Sequence, residues 1–203
     1  MIPFARLVVA GVCLAAAAPI VALQAAPKKQ AQQPFPELSP RSSSRIFYWG
    51  GNSSGGEVLV DYAQPVWKEE YDKQVDAMLG VRWRLGSNFW TRLDTNMDLA
   101  AGETDIPTGD YYLVLERKKE DKSFVLWLLD PVEVRDAKLD AFQAPQTTGG
   151  IAVPMDYKRV DVKAEKLMIR LDLDAKRKDG ANFVVHFGNH ELTAKLQMHP
   201  KRD

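Results

Sequence analysis

Arg84, Asn88, Trp90 and Thr91 fall within eight residues of one another, with Tyr111 downstream and Tyr62 at the end of an earlier strand-like run. These are side chains suited to holding a polar ligand. A guanidinium offers an oxyanion a rigid fork of N–H donors, and a neighbouring aromatic ring adds stacking or a cation–π contact of about 0.5 to 1 kcal/mol. Arg84, Asn88, Trp90, Thr91, Tyr62 and Tyr111 are therefore the candidate ligand-binding residues, with Arg84 and Asn88 projecting from a turn toward Tyr62 or Tyr111. A structural reading stands beside this one: Asn88 bonds its own turn, Thr91 is satisfied by a neighbouring strand, and Arg84 stacks on Trp90.

Other groups offer less. His186 and His190 flank Gly188-Asn189; in a two-residue hairpin His190 opposes Phe187 and His186 opposes Glu191, so the imidazoles face apart and no metal site is expected. Glu69, Glu70 and Asp76 occupy the charged side of a predicted helix. Asp61, Asp94 and Asp110 lie near strand ends, but a glycosidase needs two carboxylates about 5 to 9.5 Å apart across a cleft, and linear order does not bring any two together. Ser53, Ser54 and Ser87 sit in glycine-rich turns without a nucleophile elbow, and the glycine run 50–56 lacks the Gly-Lys-Ser/Thr of a phosphate loop. No catalytic residue and no cofactor is expected.

The elements that must position these groups follow from periodicity. Val81, Trp83 and Leu85 alternate with Arg82 and Arg84, and Phe89, Thr91 and Leu93 with Trp90, Arg92 and Asp94, the period of two half-buried strands. A three-residue turn over Gly86, Ser87 and Asn88 would place Arg84 opposite Trp90 and Arg82 opposite Arg92. Residues 46–49 and 57–62 read as an earlier hairpin. From Trp67 the spacing becomes three and four through Tyr71, Val75, Met78 and Leu79, predicting a helix of about three turns that ends at Gly80.

Residues 111–116 and 123–129 are apolar on both faces, as central strands are. Residues 133–142 read as a strand end and a short helix, and 144–154 as an irregular loop. Alternation returns over 160–173, and 181–187 pairs with 190–197 as a terminal hairpin. The predicted fold is mostly β, an antiparallel β-sandwich with one short amphipathic helix. Its core contains Trp83, Leu93, Leu113, Leu126, Ile169, Leu171 and Val185, with Trp67 and Trp127 also inside and Trp49 and Trp90 outside.

Composition narrows the classes. Twenty-seven basic residues balance twenty-seven acidic ones, and their interspersion gives no basic field for a nucleic-acid backbone. Arg6, the apolar run 7–23 and Ala25 or Ala26 read as an export signal that is cleaved, leaving no stable membrane insertion. Cys13, the one cysteine, lies inside that segment, so the mature chain is expected to have no disulfide and no thiolate metal site. The expected organisation is a signal at 1–25, a proline-rich flexible or extended linker at 26–44, one β-sandwich domain at 45–199 and a tail at 200–203.

Three motifs carry a resemblance: Tyr62-Ala63-Gln64-Pro65, Trp83-Arg84-Leu85-Gly86-Ser87-Asn88-Phe89-Trp90-Thr91 and Pro107-Thr108-Gly109-Asp110-Tyr111. From about Ser39 to Gln197 the chain resembles the bacterial secreted family catalogued as domain of unknown function 2911. The nine-position middle motif is the most specific. Gln64 departs from the family's arginine, and Phe187-Gly188 stands where the family has tryptophan-glycine. The resemblance implies a secreted β-rich domain, draws attention to Arg84, Asn88 and Thr91, and supplies no activity. The expectation is a periplasmic or secreted non-catalytic module that binds a polar small molecule, glycan or peptide. The partner is then an unknown polar ligand or an envelope protein. The alternatives are a structural or protein-interaction domain of the cell envelope and a hydrolase using clustered carboxylates.

Overall fold

A computed structural model describes residues 38–49 and 55–199. The expected signal at 1–25 and tail at 200–203 lie outside the described residues, as does most of the linker. Among the described residues ten strands form one open antiparallel sheet, accompanied by a few short helices. The mostly antiparallel β class is the one expected, and its strands belong to a single continuous sheet.

The strands are β1 (Arg41–Trp49), β2 (Gly55–Ala63), β3 (Arg82–Arg84), β4 (Thr91–Thr95), β5 (Asp98–Ala101), β6 (Thr104–Ile106), β7 (Gly109–Arg117), β8 (Phe124–Leu129), β9 (Ile151–Leu173) and β10 (Gly180–His199). Their order across the sheet is β1-β2-β4-β7-β8-β9-β10-β5-β6, with β3 also on β7. The inward side chains meet in one core that includes Val60, Leu93, Leu113, Leu126, Ile169, Leu171 and Val185. β1 also reaches β9 through its side chains: the Leu171 amide donates to Ser44 Oγ at 2.9 Å. Arg41 to Ser44, expected in the linker, thus belong to β1, whose partner in a true hairpin is β2.

β7 and β8 are apolar on both faces because each face is covered. On the second face Val114 and Leu129 pack with Val134 and Ala144, flanked by Trp90, Tyr112, Trp127 and Leu139. The cover comes from α2 (Pro131–Asp136) and a 3-10 helix (Ala141–Gln146). Asp130 caps α2 by accepting from the Val132 amide at 2.7 Å, with Pro131 in the first turn. A capping box of Asp140 and Gln143 starts the 3-10 helix. Much of the stretch expected as a loop over 144–154 is therefore ordered: it completes that helix and opens β9.

The expected 81–93 hairpin does not form. β3 and β4 instead lie end to end along one edge of β7, with Arg84 opposite Val114 and Thr91 opposite Leu113, while β8 holds the other edge. Charge explains the choice. The hairpin would oppose Arg82 to Arg92, whereas on β7 Arg82 faces Glu116 and Arg92 pairs with Asp110. Asn88 takes φ +65° and Gly86 φ +101°, and the segment between them bows off the sheet.

The terminal hairpin is also replaced. β9 offers β10 an antiparallel partner through most of its length, so β10 runs straight through Gly188-Asn189 with a bulge rather than folding back. The helix α1 (Glu70–Ala77) is shorter than expected and has no buried residue. Trp67 lies before it, its amide donating to Glu165 O at 2.9 Å, and Gly80 follows with φ +68°.

Candidate functional site

A cavity of about 450 Å³ opens where α1, β3 and the 3-10 helix approach the sheet. Small-molecule sites typically occupy about 300 to 1,000 Å³. Leu115, Phe124, Leu167, Val185 and Leu192 line it from the inner face of the sheet, and Tyr71 and Val75 from α1, with Met78 capping the helix beside them. The apolar stripe of α1, of which Val75 is half-buried against the core, thus faces this space. Trp67 and Phe187 meet edge to face at 4.9 Å, with Tyr71 5.6 Å from each, so one wall is aromatic.

Residues on both sides of β3 reach the cavity. Side chains alternate along a strand, so Trp83, opposite the core residue Leu115, belongs to the inner face, while Arg82 and Arg84 belong to the other. Trp83 is half-buried rather than a core residue, and its indole N–H donates to Met78 O at 3.3 Å. The Arg82 guanidinium carbon lies 4.0 Å from the Trp127 ring centre, and that of Arg84 4.1 Å from the Phe142 ring centre. Burial pushes both guanidinium pKa values down, opposed by Glu116 at Arg82 and by Asp140 and Tyr71 at Arg84. Both side chains nevertheless remain cationic, because a guanidinium does not deprotonate in proteins.

One terminal nitrogen of each arginine is fully buried. Arg82 Nη1, Arg84 Nη1 and Ser87 Oγ are buried without a hydrogen-bond partner among the described residues. All three residues line the cavity. A buried polar group without a partner costs about 1 to 3 kcal/mol, and more when charged.

A second polar group lines the cavity from β9 and β10. His190 contacts Asp72 Oδ1 at 2.8 Å through Nε2 and the Tyr157 hydroxyl at 2.9 Å through Nδ1. A carboxylate accepts, so Nε2 carries the hydrogen; in the neutral ring Nδ1 then accepts from Tyr157. Asp72 also pairs with Arg159 at 3.3 Å. This network ties α1 to the sheet and brings an imidazole and a phenol to the cavity.

Of the six candidate residues only Arg84 lines the cavity. Tyr62 is buried in the core. Thr91 is buried and its hydroxyl donates to Leu85 O. Tyr111 donates to Pro107 O at 2.6 Å. Trp90, expected on the outside and beneath Arg84, is half-buried and stacks on Tyr112 with centroids 5.1 Å apart. Asn88 sits half-buried in the bowed segment and does not line the cavity.

Sequence reasoning missed Tyr71, Tyr157 and His190 as cavity residues and read Ser87 as a turn residue only. The strand register that unites them was assigned differently. His186 stands opposite Met168 and His190 opposite Arg159, so the expected His186–Glu191 pair is absent: His186 donates to Val162 O at 3.0 Å, and Glu191 pairs with Lys158 at 2.8 Å.

Fold and cavity define a mostly β protein of one antiparallel sheet with a preformed, largely apolar pocket bordered by two arginines. The chain belongs to the family described as Protein of unknown function (DUF2911), whose model matches residues 48–196 and so spans every residue that lines the cavity. No curated protein and no solved structure matches the chain. No helix among the described residues is long and apolar enough to cross a membrane.

Proposed function

We propose that this protein is a non-catalytic module that binds a small molecule in the cavity between α1, β3 and the 3-10 helix, and that it works in the periplasm or outside the cell. The observation that carries the reading is the cavity itself: a space of about 450 Å³ lined largely by aliphatic and aromatic side chains, with a few polar groups. Preformed apolar pockets with convergent polar groups are the usual form of small-molecule sites. The carboxylate hydrolase draws no support here, because no Asp or Glu lines the cavity among the described residues.

Nile red, a neutral dye that brightens in apolar surroundings, tests the reading without reference to charge. Titration into the mature protein should give saturable emission, and Val75→Trp, placed on the α1 wall, should abolish it by filling the space. Equal binding to the wild type and a folded V75W variant would move the site elsewhere and overturn the proposal.

A further inference from the structure

We propose that the cavity selects a monocarboxylate with an apolar body, its carboxylate seated by Arg84, Arg82 and Ser87 and its body lying along the aromatic and aliphatic walls. The inference rests on the reading that the cavity binds a small molecule, and adds the chemistry of that molecule. Three observations carry it.

The first is that the three unpartnered polar atoms come from one six-residue stretch and from residues of one cavity. Such atoms are rare in folded proteins, and each calls for a partner. Two of them are guanidinium nitrogens, which only donate, so the missing partner is an acceptor; all three atoms are closed to a water-sized sphere, so these side chains must turn to meet a ligand in the cavity.

The second is charge. Arg82 has Glu116 at 3.9 Å, whereas Arg84 has no carboxylate within ion-pairing distance among the described residues. The excess is one cation, which one negative charge would balance. Burial depresses the pKa of Arg84, and Asp140 opposes that only as a Coulombic influence. A ligand carboxylate would supply what Asp140 does not: an acceptor in direct contact with the fork.

The third is the polarity of the space. Arg82 and Arg84 stand on the outer side of β3, while Leu115, Phe124 and Leu192 bound the cavity from the core side. A ligand lying across β3 therefore meets donors at one end and apolar surface at the other, which a polar sugar does not match.

Calorimetric titration of the wild type with octanoate and with the neutral octanamide tests this directly. Octanoate should bind about 10- to 100-fold more tightly, the range that charge-assisted hydrogen bonds provide. Arg84→Gln should remove that preference by weakening octanoate far more than octanamide, with folding checked by circular dichroism. Should R84Q fail to fold, Ser87→Ala and the wild-type comparison carry the test, since S87A should weaken octanoate more than octanamide. Equal affinity of the wild type for acid and amide would overturn the carboxylate inference and leave the cavity reading standing. Binding of neither, with Nile red still bound, would also overturn it; loss of Nile red binding alone bears on the earlier reading.

Discussion

The indole of Trp67 lies against the bare α-carbon of Gly188, where an added Cβ would stand 2.6 Å from three of its ring atoms. Gly188 also has φ +60°, a conformation that side chains with a Cβ rarely adopt. Gly188→Ala therefore combines backbone strain with displacement of an aromatic wall of the cavity. The variant should lose about 1 to 3 kcal/mol in urea denaturation and bind Nile red more weakly. An unchanged midpoint with unchanged dye affinity would show that neither contact matters.

Leu113 is fully buried at the centre of the core, on the strand that carries both β3 and β4. Leu113→Ala should cost about 2 to 5 kcal/mol, the range for deleting such a side chain where the site collapses only partly. A shift below that range would mean that the surrounding sheet relaxes into the space.

The strands announced themselves where their own alternation decided burial. Residues 111–116 and 123–129, apolar on both faces, are central strands with a cover on each side, and Leu167 to Leu173 alternate as a strand should. Pairing was harder to read. The 81–93 segment has good hairpin signals, but they describe local geometry, and Arg82 is better neutralised by Glu116 on β7 than opposed to Arg92. Gly188-Asn189 likewise resembles a turn, yet a long β9 was already available as a partner. Arg84, singled out by its type, does line the cavity. Its neighbours in space, Ser87, Tyr71, Tyr157 and His190, were not legible, because their convergence depends on those long-range pairings.

The helix α1 has no fully buried residue; beside the packing of Tyr71 and Val75 it is held by ion pairs of Asp72 and Asp76, so acid should loosen it before the core strands. Asp76 receives a hydrogen bond from Arg117 Nη1 at 2.7 Å, and that bond holds its carboxyl below the ordinary value of 3.8. Since the folded pKa is depressed, the contribution is present above 3.8 and is lost as pH falls through the lower folded value. The α1 amide resonances should therefore move in acid before those of β7 and β8, and Asp76→Asn should remove that early step. Simultaneous loss of all three elements would reject an independent release.

Export predicts a processed N-terminus. Arg6, the apolar run 7–23 and the alanines at 25 and 26 have the pattern of a cleaved export signal. N-terminal sequencing of the exported protein should begin near Ala26 or Pro27, and recovery of an intact Met1 from soluble cytosolic material would count against export.

Because β3 and β4 are each registered on β7 by their own hydrogen bonds, the segment between them is not needed to hold either in place. Phe89 projects into solvent from this segment, while Gly86 and Thr91, at or just beyond its ends, pack closely against the interior. Closing a longer loop costs only about 0.6 kcal/mol for each doubling of its length. Residues 87–89 are thus a natural place for inherited variation or for grafting: a changed length there alters the surroundings of Ser87, which lines the cavity, while β3 and β4 keep their pairing with β7.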